Sequence, residues 1–181
     1  MGPMTGPQLR LEPLSVDHLD GIMTWVNDPA VTFYFARLGA TITREEERLM
    51  VARLVASDTD RIFSIFEGEA YVGQIGISKI YWPAKNGRIG IMLPRNAWGR
   101  GIAQAAARLL MTEAFGPLGL HKLWVIIRAD NDKSLHLWAR LGFTREGHLR
   151  DEYYVNERYY DMVRLARLAN DEPPAWAGER G

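Results

Sequence analysis

The stretch that decides the fold is Leu93-Pro94-Arg95-Asn96-Ala97-Trp98-Gly99-Arg100-Gly101-Ile102-Ala103. It joins a strand-like run, Arg88 to Leu93, to a strongly helical one, Ala103 to Phe115. Pro94 ends the strand, because proline has no N–H to give to a ladder. Gly99 and Gly101 then stand where the helix should begin. Glycine permits backbone angles closed to other residues and lets a bulky anion approach the main chain. The free N–H groups of a helix start, aided by the helix dipole, make a site for phosphate. The loop is not a Walker A loop, since no G-K-[ST] follows, and Gln104 fills the third glycine position of the dinucleotide fingerprint. An ordinary strand-to-helix connection that needs two glycines is the competing reading.

Outward from the loop, periodicity divides the chain into further elements. Gln8 to Leu14 alternates like a strand, and Ser15 is placed to cap a helix over 16–26. Thr43-Arg44-Glu45-Glu46 has capping-box spacing and opens a helix to about Ala56, with Leu49, Val51, Leu54 and Val55 as expected core contacts. Arg61 to Phe66 and Tyr71 to Ile80 read as strands joined by a Glu67-Gly68-Glu69 turn. Leu123 to Ile127 suits a central strand, and Asp130 or Asn131 caps a helix that stops at Leu141-Gly142. Two strands follow from Phe143 to near Leu168. Mixed helices and strands make this an α/β or α+β chain.

Composition narrows the function classes. The 181 residues suit one domain with a sizeable core, and 47% are apolar. Lys+Arg and Asp+Glu are both 22, so the net charge of zero gives no support for a nucleic-acid or membrane partner. With no cysteine there is no disulfide, zinc-thiolate site or cysteine nucleophile, which agrees with a cytoplasmic setting. No metal site is expected. Residues 1–7 and 169–181 read as flexible tails.

Taken together, these pieces resemble the GNAT superfamily of N-acetyltransferases, in its ribosomal-protein-alanine acetyltransferase-like branch. Trp98-Gly99-Arg100-Gly101-Ile102-Ala103 is similar to the family's pyrophosphate motif, [QR]-x-x-G-x-[GA], with Trp98 in the first place. Asn131-Asp132-Lys133-Ser134 followed by Leu141-Gly142-Phe143 resembles the branch's N-x-x-S…L-G-F block. The opening Leu9-Arg10-Leu11-Glu12-Pro13-Leu14 and Trp25-Val26-Asn27-Asp28-Pro29 also look like it. The resemblance covers residues 8–168 and implies a single domain. That domain would be one mixed, mostly antiparallel sheet flanked by helices, with central strands splayed to admit acetyl-CoA.

On that resemblance, the backbone of Ile91, Met92 and Leu93 would pair with the pantetheine arm, and the amides of Gly99, Arg100, Gly101, Ile102 and Ala103 would hold the pyrophosphate. Arg95 and Arg100 could add contacts to phosphates, against the plainer reading of solvated arginines. Asn131 could combine helix capping with a cofactor contact, and Ser134 could donate to the departing thiolate. Trp25, Phe33, Tyr34, Phe35, Tyr153 and Tyr154 could line an acceptor pocket, although such aromatics are more often core.

Two departures from the wider superfamily matter. The position of the usual tyrosine acid is Trp138, and that of the usual glutamate base is Arg88. Other titratable candidates are Glu113, Asp151, Glu152 and Asp161, with His18, His121, His136 and His148. The expected activity is acetyl transfer from acetyl-CoA to a primary amine, on a protein N-terminus or a small molecule, by direct attack in a ternary complex. The alternatives are a non-catalytic CoA-binding module, or transfer of another acyl group. A homodimer is open alongside a monomer.

Overall fold

The computed structural model describes residues 7–32 and 41–173. Seven strands form one sheet in the order β1-β2-β3-β4-β5-β7-β6. These are β1 (Leu9–Pro13), β2 (Arg61–Glu67), β3 (Ala70–Tyr81), β4 (Asn86–Met92), β5 (Lys122–Arg128), β6 (Thr144–Val155) and β7 (Arg158–Leu168). The helices are α1 (Leu19–Met23), α2 (Pro29–Thr32), α3 (Arg44–Val55), α4 (Ile102–Phe115) and α5 (Asp132–Arg140). Among the described residues no helix is long and apolar enough to cross a membrane.

Every neighbouring strand pair is antiparallel except β4 and β5. These two run parallel and pair only at Asn86↔Lys122, Gly87↔Leu123 and Arg88↔Trp124. Beyond that rung they part. β4 stays paired to β3 as far as Met92, and β5 stays paired to β7 as far as Arg128. The expected splay is therefore present, and it leaves main-chain groups facing an opening inside the sheet.

Alternation sends the two faces to different cores. On one face Ile75, Ile77, Ile89, Leu123, Val125 and Leu165 meet α4 and α5 through Ile102, Ala106, Leu110 and Trp138, all of them buried. Small residues on α4 let it lie close to the strands, and Ala106, Ala107 and Ala114 are wholly enclosed. Each large aliphatic side chain removed from water contributes about 1.5–3 kcal/mol. On the other face, Met92, Ile62 and Tyr71 meet Leu19, Ile22, Trp25, Val26 and Val51. Here Gly21 is obligatory for packing, because a Cβ would fall 2.4 Å from the Tyr71 ring.

The N-terminal helix departs from expectation. Ser15 caps only a short 3-10 turn, with the Asp17 N–H donating to its Oγ at 3.1 Å. α1 then ends at Met23, where Thr24 Oγ1 donates to the Gly21 carbonyl at 2.6 Å. Pro29 disfavours helical angles at Asp28 and starts α2 instead. In α3 the capping box of Thr43 and Glu46 forms as expected. Val51 is buried and Leu54 partly so, but Leu49 and Val55 are more than half exposed, so the inward stripe is narrower than expected. β4 also begins two residues earlier than Arg88 and stops before Leu93. The last hairpin turns through Asn156 and Glu157, both at positive φ as a two-residue reversal requires.

Candidate active site

Parallel strands end at the same edge of a sheet, so the segments after β4 and β5 flank the opening between them. The first of these is the glycine loop. A 3-10 turn over Arg95–Ala97 is pinned by Trp98, whose indole N–H donates to the Leu93 carbonyl at 2.9 Å. Gly99 and Gly101 adopt φ of 71° and 77°. A Cβ at Gly99 would meet nothing within 4 Å, and one at Gly101 only Pro7 Cδ at 3.9 Å. Conformation, not crowding, requires these glycines, and the space before them is open. The first helical bond of α4 runs from the Ala105 N–H to the Gly101 carbonyl at 3.1 Å. Among the described residues no acceptor meets any N–H from Gly99 to Gln104. The positive end of a 14-residue helix adds to these donors. Ile102 itself is buried, so only its main chain can serve a ligand.

The segment after β5 is built differently. Asn131 caps α5, its Oδ1 accepting from the Ser134 N–H at 3.3 Å and its carbonyl accepting from the Leu135 N–H at 3.0 Å. The Asn131 amide nitrogen and the Ser134 hydroxyl have no partner among the described residues. Before them, Arg128 Nε donates to Asp130 Oδ1 at 3.0 Å, and that guanidinium holds the Asp130 carboxyl below its ordinary range.

Two clefts open at this edge. One, of about 520 Å³, is lined by Gly21, Thr24, Asp28, Tyr71 and Arg95. The other, of about 490 Å³, is lined by Arg128, Asp130, Arg158 and Tyr160.

Several residues expected at the site have other partners. Arg95 is ion-paired to Asp28 at 2.7 Å, and Arg100 to Glu67, so neither guanidinium is unpaired in the free protein. Both side chains are exposed, where exchanging a carboxylate for a phosphate costs little. Trp25 is 3% exposed and donates to the Tyr71 hydroxyl at 3.3 Å, which makes it a core residue and not a pocket wall. Burial keeps the Tyr71 phenol well above its usual range. Tyr34 and Phe35, like Phe33, lie outside the described residues. Tyr153 and Tyr154 point to opposite faces of β6. Tyr154 is exposed and rests on Tyr159 at a ring separation of 4.7 Å. Ile91 and Met92 are on the splayed part of β4, whereas the Leu93 carbonyl is occupied by Trp98.

Trp138 is 1% exposed and packs edge-on to Phe143 at 4.9 Å. It is core, and no phenol stands in its place. Arg88 occupies the last paired rung beside Trp124, where burial lowers its proton affinity. Of the remaining candidates, His136 is bonded to the Asp132 carbonyl and His148 to Asp161 at 2.6 Å. The Asp151 N–H also donates to Asp161, and with His148 it keeps that carboxyl low. Trp124 was not singled out from the sequence. Its signal was the one aromatic in an otherwise aliphatic run, on the side of β5 opposite Leu123 and Val125.

Residues 8–144 match the model of the acetyltransferase (GNAT) domain family. The chain is 31% identical over 93 residues to the spermidine N(1)-acetyltransferase of Escherichia coli K12, covering 51% of this chain and 50% of that one. It is 32% identical over 108 residues to the putative ribosomal N-acetyltransferase YdaF of Bacillus subtilis 168, covering 60% and 57%. The alignment thus spans about half the length of the curated relatives it matches. The fold superposes on the crystal structure of spermidine N-acetyltransferase from Vibrio cholerae in complex with CoA and spermine. The TM-score is 0.84 at 24% identity, covering 90% of this chain and 96% of that one.

Proposed function

This chain belongs to the GNAT acetyltransferase family, and we propose that it transfers an acetyl group from acetyl-CoA to a primary amine. The observation that carries the reading is the opening between β4 and β5 with free N–H groups from Gly99 to Gln104 at its rim. Those amides suit the pyrophosphate, with Arg100 exchanging Glu67 for a phosphate oxygen. The unpaired edge of β4 at Ile91 and Met92 suits the pantetheine amides, which add to the edge as a strand would. The Asn131 amide nitrogen contacts the acyl end of the cofactor. Residues 8–168 act as one unit, in a cytoplasmic setting.

In the reaction the neutral amine attacks the thioester carbonyl. A C–N bond forms, the C–S bond breaks, and the CoA thiolate takes a proton from water, either directly or through Ser134, which regains one from water as it gives its own. The amine's excess proton leaves to solvent. A strand N–H near Met92 stabilises the oxyanion, and the chain's main contribution is alignment of the two reactants. The relatives named for spermidine and ribosomal protein agree with amine acceptors in general.

Isothermal titration with acetyl-CoA and CoA tests the binding step, and thiol release with a panel of amines tests turnover. The chain holds no cysteine, so a thiol reagent reads only released CoA. Binding without turnover on any amine would favour a sensor module, a reading to which Arg88 and Trp138 lend weight. Failure to bind either nucleotide would overturn the proposal.

A further inference from the structure

α1 and α3 cover the β2–β3 side of their face of the sheet. On that same face, the side toward β5, β7 and β6 carries Arg88, Trp124, Tyr153 and Arg164, each only partly buried. Arg164 lies over the Trp124 ring at 4.2 Å, and Arg88 approaches the same ring at 6.0 Å. Arg164 has Glu146 at 3.6 Å and Arg128 has Asp130 at 2.5 Å. Arg88 has no carboxylate partner among the described residues. Beneath these arginines the Trp124 indole N–H and the Tyr153 hydroxyl are buried and meet no hydrogen-bond partner. Burial raises the Tyr153 phenol and lowers Arg88, and each group feels the other's charge.

A protein rarely buries donors with nothing to receive them. Here three kinds converge: guanidinium, indole N–H and phenol O–H. Guanidinium and indole can only donate, so the set is made for an oxygen anion. A polycation would meet a guanidinium and, among the described residues, no carboxylate to pair with Arg88. The floor beside them is bare, since a Cβ at Gly90 would touch nothing within 4 Å. Met92 lies four residues farther along β4, about 13 Å at strand rise. The first residues of an extended peptide, at about 3.3–3.6 Å each, span that distance.

We propose that Arg88, Trp124 and Tyr153 form a subsite for a carboxylate on the acceptor, so that the amine acetylated by this chain belongs to an acidic peptide N-terminus. This rests on the acetyl-transfer reading above, and the carboxylate site itself can be measured without turnover.

Two measurements decide it. Titration with glutarate, which has carboxylates and no amine, should show binding to the wild type that weakens about tenfold or more in Arg88→Gln. Tyr153→Phe should weaken glutarate binding while raising the Tm of the free protein, because a buried donor without a partner is removed. A purely structural tyrosine would not move the two in opposite directions. In turnover, kcat/KM for alanyl-glutamate amide should exceed that for alanyl-glutamine amide by about tenfold or more, and the ratio should collapse toward unity in Arg88→Gln. Equal use of the two peptides, better use of spermidine than of either, or an unchanged ratio in both variants would overturn the subsite. Glutarate binding without acetyl-CoA binding would sink the enzyme reading and leave the subsite standing. Acetyl-CoA binding with no glutarate binding and no acidic preference would do the reverse.

Discussion

The two strand-to-helix junctions at the open edge of the sheet solve the same problem in opposite ways. After β5, Asn131 turns its own side chain onto the Ser134 N–H and closes the start of α5 from within. After β4, Gly101 offers no side chain, and the N–H groups of the first turn of α4 stay without acceptors. A glycine at a helix start gives up about a few tenths of a kcal/mol of capping relative to a side-chain cap. Keeping α4 in that state makes sense where a ligand supplies the missing acceptors. One junction is closed by its own side chain, and the other keeps its donors open among the described residues.

The sharpest way to break this contrast is Gly101→Glu. The left-handed angle at 77° costs a side chain about 1–2 kcal/mol, and the carboxylate would stand where phosphate is expected. Acetyl-CoA affinity should fall by more than about 100-fold, or about 2.7 kcal/mol, while circular dichroism shows a folded chain. Unchanged affinity by titration would mean that the glycine junction binds nothing.

The matching change after β5 is Asn131→Ala. Loss of the cap should cost about 1 kcal/mol, a drop of about 2–4 °C in Tm for a chain of this size. Asn131→Ser keeps a capping oxygen but withdraws the amide, so scanning calorimetry should find a near-normal Tm while turnover falls. Equal kcat in the serine variant and the wild type would make this junction structural alone.

A smaller loss is expected from Ser134→Ala. General acid help is worth about 10²–10⁴-fold in other enzymes, and a thiolate needs less of it, so kcat should fall by less than about 100-fold with acetyl-CoA affinity intact. Single-turnover rates check this, since product release cannot mask them.

The least effect belongs to Asp130→Asn. The Arg128 hydrogen bond depresses this carboxyl, so its contribution is complete above the unfolded value of about 3.9 and disappears as pH falls through the lower folded value. The Tm gap between wild type and variant should be present at neutral pH and close in acid. A gap that widened on acidification would show that the pair is not what steadies this junction.

Local signals carried most of the architecture. The capping box at Thr43, the glycine loop and the Asn131 cap each work through residues three or four apart, so their pattern survives in the linear chain. What escaped depends on distant neighbours. Asp28 meets Arg95 and Glu67 meets Arg100 only because the sheet and α2 bring them together, and no spacing announces either pair. For Trp25 the sequence allows a pocket wall beside the commoner core reading, and the contact of its indole with Tyr71 decides for the core. The break between α1 and α2 follows from Thr24 and Pro29 overruling an apolar pattern that runs on through Val26.

The three rungs joining β4 to β5 carry a further consequence. They are the seam between two half-sheets, and a bound cofactor would be the mortar in its upper part. At a hundred times its dissociation constant, a ligand that binds only the folded form adds about 2.7 kcal/mol to stability. The survival of this chain would then follow the supply of that ligand. Starved of it, the protein should open first along that seam, with amide exchange quickening at Ile91 and Met92 before the far strands, and its abundance would become a record of how much of that ligand is at hand.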